Sequence, residues 1–229
     1  MASVPSGATA QIVCKGILFD MDGILVSSVG SVVRSWSKWA ALRGVDPERT
    51  CETAHGRRAI ETIAIMRPDL NAEPELKVIE DIEIEDNEGL TVLPGVLALL
   101  AALPEDRWTV VTSATERLAR VRMGVGGVPV PRKLVAADFV TRGKPHPEPF
   151  LTGAAFLGFA PQECVVFEDS ASGARAGRAA GCTVVATTFS HPAESLDAAH
   201  YLVEDLTGMR ITTLPGEEGL LLSFTPLAK

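Results

Sequence analysis

Apolar residues fall in short unbroken runs: IVCKGILF (12–19), WTVVTS (108–113), LVAAD (134–138), CVVFED (164–169) and CTVVATT (182–188). Unbroken runs, rather than alternation, predict strands covered on both faces. Helical patterns lie between most of them, which predicts an α/β fold with a parallel sheet. The stretch 28–92 breaks this rhythm and reads as helices. Ser27 or Ser28 can cap VGSVVRSWSKWAALR, and Gly44 can end it. RRAIETIAIM and PELKVIEDIEIEDNEGL follow, separated by Pro68, and LPG at 93–95 returns the chain to the sheet. The expected division is a core of 12–27 and 93–229 with a helical cap of 28–92 inserted after the first strand. The six acids of EDIEIEDNE (80–88) read as a solvated helix face, with Ile79 and Ile82 turned inward.

Composition narrows the function. The chain has 229 residues, 46% hydrophobic and 22% charged, which suits one large domain or a domain with a smaller insert. A formal net charge of -8 disfavours nucleic acid, so an anionic substrate needs a local cluster of cations or N–H groups. The four cysteines at 14, 51, 164 and 182 include no CxxC pair and read as reduced thiols, mostly buried. The first residues have neither a basic region nor a long apolar core, and no run of 18 apolar residues occurs. A cytoplasmic protein is the expectation.

The candidate chemistry sits where the apolar runs end. Asp20 and Asp22 close the first run just before Gly23; side chains at i and i+2 of an extended segment share a face. Two carboxylates there repel unless a cation or a shared proton intervenes. Thr112 and Ser113 end the second run ahead of a helical pattern, where a hydroxyl and free N–H groups form an anion site. Lys144 lies in a loop stiffened by Pro145, and Glu168 and Asp169 end another run. Taken singly these are a solvated turn, an N-cap, an exposed lysine and capping acids. Taken together at strand ends, they are the inventory for phosphoryl transfer through an acyl phosphate with Mg²⁺.

DMDG, VTS, GKPHPEPF and FEDSASGARAG stand in the order and spacing of the haloacid dehalogenase superfamily, which the chain resembles from about residue 12 onward. AHGRRAIETI and RWTVVTSATERLA look like its 2-deoxyglucose-6-phosphate and glycerol phosphate phosphatases. The resemblance implies a Rossmann-like core with a helical cap, acting on a small phosphorylated metabolite such as a sugar or polyol phosphate. It implies Asp20 as nucleophile, Asp22 as general acid and base, and Ser113 and Lys144 as holders of phosphoryl oxygens, beside Ala114. Mg²⁺ would bind Asp20, the Asp22 backbone carbonyl and Asp169, with Glu168 as ligand or close neighbour. In the cap loop, His55 and Arg58 would contact substrate, flanked by Gly56 and Arg57. Two positions depart from the pattern: Ile24 replaces a threonine that helps order the loop, and Ala114 replaces a glycine. A phosphosugar mutase of the same superfamily and a phospho-receiver module are the alternatives. Substrate identity and oligomeric state stay open.

Overall fold

The structure, a computed structural model, describes residues 8–215 and 219–228. Five parallel strands form the central sheet in the order β5-β2-β6-β7-β8, with β2 Gly16–Phe19, β5 Trp108–Val110, β6 Cys164–Glu168, β7 Thr183–Thr187 and β8 Tyr201–Val203. Strands β2 and β6 are buried along their whole length, as unbroken apolar runs require. One face packs around Phe19, Phe167 and Val185, and the other around Leu18, Val166 and Phe150. The rings of Phe19 and Phe167 stack with centroids 5.1 Å apart on neighbouring strands. Helices α5 Val96–Ala101, α6 Glu116–Gly126, α7 Glu148–Leu157 and α8 Ala171–Ala179 complete the layers.

Two runs behave differently from expectation. The first, 12–19, is not one strand. β1 Ala10–Cys14 pairs antiparallel with β10 Leu220–Phe224, and the chain then turns at Lys15 into β2. β10 also pairs with β9 Arg210–Thr213, giving a second, three-stranded sheet. The run 134–138 is not a strand either. It touches the sheet through a single bridge, Val135 to Val111, before a 3-10 turn at Ala137–Phe139. Its burial comes from loop packing, which an apolar run alone does not distinguish from a strand.

Between β3 Val26–Ser27 and β4 Thr91–Val92 lie four helices: α1 Val29–Arg43, α2 Pro47–Ala54, α3 Ala59–Met66 and α4 Ala72–Glu85. They pack on one another around Trp36, Trp39, Ile63 and Ile79. β3 and β4 pair antiparallel, so the segment leaves and returns through one narrow neck. Gly44, at φ 65°, ends α1 in the left-handed conformation that glycine adopts without strain. Ser28 holds the N-cap position, but its hydroxyl is not spent on the helix; it turns instead to Asp22.

Candidate active site

The carboxyl ends of β5, β2 and β6 meet under α1–α4, around a cavity of about 110 Å³. This is small beside the ~300–1,000 Å³ of most ligand sites. Asp20, the residue after β2, is 7% exposed. Its Oδ1 accepts a hydrogen bond from Lys144 Nζ at 2.5 Å. Lys144 also donates to Glu168 Oε1 at 2.6 Å and to the Val111 carbonyl at 3.0 Å. Its three protons are thus fully committed, on a side chain that GKPHPEPF tucks beneath the sheet ends.

Glu168, at the end of β6, is fully buried. Its second oxygen accepts from the Asp169 and Ser170 backbone N–H groups and from the Ser170 hydroxyl, at 3.0–3.1 Å. With both oxygens occupied, Glu168 braces Lys144 and the Ser170 turn. Asp20, Glu168 and Asp169 bring oxygens within 4.8 Å of one another. Three buried carboxylates face one lysine, leaving local charge that a divalent cation would neutralise, and hard oxygen donors suit such an ion. Asp20 and Asp169 are the two with oxygens to offer it. Burial holds the Asp20 carboxyl well above its ordinary range, and the Glu168 and Asp169 charges add to this against the pull of Lys144. Burial, then Glu168, pushes Asp169 up to about 7, opposed by a hydrogen bond from Ser190. Burial would lower Lys144, but Asp20 and Glu168 more than offset it, and its pKa is raised.

Asp22 lies in the same cavity but outside this cluster. Its Oδ1 accepts from Ser28 Oγ at 2.6 Å and its Oδ2 from Arg122 Nη1 at 3.0 Å. The loop that carries it is held by backbone bonds from Leu25 and Val26 N–H to the Met21 carbonyl and from Gly23 N–H to Val26. Ile24 is buried in the core, so apolar packing and backbone bonds order the loop where a threonine hydroxyl was expected. Gly23 is required: a Cβ there would come within 1.9 Å of Asp169 Oδ2.

Ser113 lines the cavity with Ala114, and its hydroxyl donates to the Gly56 carbonyl at 3.4 Å. Ser172 Oγ donates to the same carbonyl at 3.0 Å. His55, Gly56 and Arg57 all reach the cavity. His55 packs edge-on against His191, with centroids 5.3 Å apart, and partial burial and then His191 hold its pKa down. Arg58 is elsewhere, contrary to its expected substrate contact. Its guanidinium donates to Glu61 and to the Val140 and Thr141 carbonyls, at 2.5–2.9 Å. Arg58 therefore fastens the 55–58 loop to the loop before Lys144.

The acidic face of α4 also departs from expectation. One side of it is docked, while Glu85 and, just past the helix, Glu88 stay exposed. Glu83 is 6% exposed and accepts from Arg122 Nη2 at 3.1 Å. Glu80 accepts from the Thr115 hydroxyl at 2.5 Å and from Arg117 at 2.6 Å. Arg122 is the site residue that sequence reasoning passed over. It sits mid-helix in α6, and only Glu80 and Glu83, within a helical acidic run, carried a trace of a buried partner.

A family model of haloacid dehalogenase-like hydrolases matches residues 14–181. The chain belongs to that family. It is 38% identical over 213 residues to hexitol phosphatase A of Escherichia coli, covering 91% of this chain and 99% of that one. It is 35% identical to glycerol-1-phosphate phosphohydrolase 2 of Saccharomyces cerevisiae, covering 75% and 74% of the two chains. A solved structure, the putative β-phosphoglucomutase from Bacteroides vulgatus, superposes with a TM-score of 0.70 at 30% identity over 86% of each chain. Membership of this family accounts for the Rossmann-like sheet, and the receiver-module alternative falls away.

Proposed function

We propose that this haloacid dehalogenase-like hydrolase is a Mg²⁺-dependent phosphatase acting on a small sugar or polyol phosphate, through an aspartyl phosphate on Asp20. The chain is a phosphoric monoester hydrolase. The observation that carries the mechanism is the pairing of two aspartates with different surroundings in one cavity: Asp20 against Lys144 among buried acids, and Asp22 against Ser28 and Arg122. Mg²⁺ bound by Asp20, Asp169 and the Asp22 carbonyl would supply the positive charge that lets an anionic carboxylate approach a phosphate dianion. An Asp20 oxygen forms a bond to phosphorus as the ester P–O bond breaks. Asp22 gives its proton to the departing alkoxide, then takes one from the water that cleaves the acyl phosphate. Lys144, expected from the sequence to hold a phosphoryl oxygen, spends its three protons on Asp20, Glu168 and the Val111 carbonyl and so holds Asp20 in line; Ser113 offers a hydroxyl to a phosphoryl oxygen.

The names of the curated relatives support a polyol or sugar alcohol as the leaving group. A mutase needs a second phosphate site. Of the cationic residues lining the described cavity, Lys144 and Arg122 are committed to carboxylates, which leaves Arg57. One exposed arginine favours a leaving group without its own phosphate. We further propose that α1–α4 act as a lid hinged at the β3/β4 neck, since the cavity is too small for free passage of a hexitol phosphate.

Intact-protein mass after acid quench tests the core of this reading, with 4-nitrophenyl phosphate and hexitol phosphates as substrates. With 4-nitrophenyl phosphate, whose leaving group needs no proton, Asp22→Ala should accumulate one phosphoryl group; Asp20→Asn should accumulate none with either substrate. A phosphoryl group on another residue in Asp20→Asn would overturn the mechanism.

A further inference from the structure

Arg122 joins two parts of the molecule at a point where one of them does chemistry. It is 2% exposed on α6, with Nη1 on Asp22 and Nη2 on Glu83 of α4. Its Nε is buried without a hydrogen-bond partner. We propose that Glu83 acts through Arg122 as a positioning residue for Asp22, so that the acid–base carboxylate is correctly oriented only while α4 is seated on α6. This rests on the role of Asp22 given above.

A guanidinium only donates, so the Asp22 oxygen facing Arg122 is fixed as an acceptor. A hydroxyl donates or accepts, so Oδ1, which faces Ser28, is the oxygen free to carry the transferable proton. The two oxygens of Asp22 thereby have separate tasks. That separation requires Arg122 to meet Asp22 through one nitrogen alone. Glu83 secures this by holding the second nitrogen 3.1 Å away on the other side. Remove Glu83, or lift α4, and the buried Nη2 loses its acceptor. The planar fork then satisfies itself by taking both oxygens of Asp22, the favoured arginine–carboxylate geometry. Oδ1 becomes a committed acceptor and can no longer deliver its proton. A buried arginine with two carboxylates is weak evidence for stability, since apolar replacements of such groups are often neutral or stabilising. Orientation of Asp22 gives this triad a function that stability does not.

Kinetics with two leaving groups test the proposal. The value of kcat/KM reports steps up to alcohol release, and 4-nitrophenolate leaves without a proton. On sorbitol 6-phosphate or glycerol 1-phosphate, whichever the parent turns over faster, Glu83→Ala should lower kcat/KM by about 10–100-fold, part of the ~10²–10⁴ typical of general acid catalysis. The loss should lie in kcat, with KM changed less than about threefold. On 4-nitrophenyl phosphate kcat/KM should change less than about threefold. In an Arg122→Met background, Glu83→Ala should add nothing further. Should Glu83→Ala not fold, Glu83→Gln decides, with the same dependence on leaving group at smaller size. Equal losses on both esters, no loss on either, or an independent loss in the Arg122→Met background would overturn the inference. If Asp22→Ala itself fails to discriminate between the two esters, the assignment of Asp22 as the acid fails instead.

Discussion

At position 173 a methyl group is enough to disturb the site. A Cβ there would lie 1.8 Å from Glu168 Oε1, the atom that holds Lys144. Gly173→Ala should therefore displace Glu168 and leave Lys144 half-paired. Breaking a buried ion pair costs roughly 3–5 kcal/mol. The expected outcome is a clear fall in melting temperature together with a loss of more than ~100-fold in kcat/KM; an active variant of parental stability would show that Glu168 can shift harmlessly. Nothing in SASGARAG announces this requirement, because the clash is with a side chain from the preceding strand. That Asp20, Asp22 and Glu168 gather at one cavity was legible for the opposite reason: each ends or follows an apolar run, and sheet topology brings such ends together, whereas Lys144 was legible only from the GKPHPEPF loop. Arg58 was misplaced by sequence reasoning because its partners at 140 and 141 are backbone carbonyls, which leave no mark on residue type.

Among elements, the 55–58 loop is the one whose seating joins several parts. His55 meets His191, Gly56 meets Ser113 and Ser172, and Arg58 meets the 140–141 carbonyls. Arg58→Ala removes charged hydrogen bonds, each worth ~1.5–3 kcal/mol, from the loop rather than from substrate. It should lower kcat/KM about tenfold or more on polyol and aryl phosphates alike. A substrate-contacting arginine would spare the aryl ester, and steady-state kinetics on both would expose that difference. The same scale shows where periodicity misled. α1 and α4 were readable from spacing and turns. The burial of Glu83 was not, since its partner Arg122 lies 39 residues along the chain. The short β8, and the β1-β10-β9 sheet built from the two ends of the described chain, depend on pairings that single runs do not encode.

For the whole molecule, the buried acids predict a stability that depends on pH and, on the metal role proposed above, on divalent cations. The Asp169 carboxyl is raised from 3.8 to about 7 in the fold. A raised carboxyl binds its proton more tightly when folded, so its contribution is complete below the unfolded value and is lost as pH rises through about 7. Metal-free protein should therefore melt lower at pH 8 than at pH 5, and Asp169→Asn should flatten that slope. A divalent cation at 100 times its Kd adds ~2.7 kcal/mol, and Mg²⁺ should raise the melting temperature more at pH 8 than at pH 5. Thermal melts of the two proteins with EDTA and with Mg²⁺ check this; parallel slopes would assign the pH dependence to other groups.

The bond from Ser113 to the Gly56 carbonyl has a further consequence. A hydroxyl has one proton to give. On the role proposed for Ser113, that proton is claimed by the loop when the lid rests and by a phosphoryl oxygen when substrate is bound. The loop is thus a built-in competitor of its own substrate, and each turnover begins with an eviction and ends with a return. Ser172, which grips the same carbonyl from α8, lets the loop stay tethered while Ser113 changes partner.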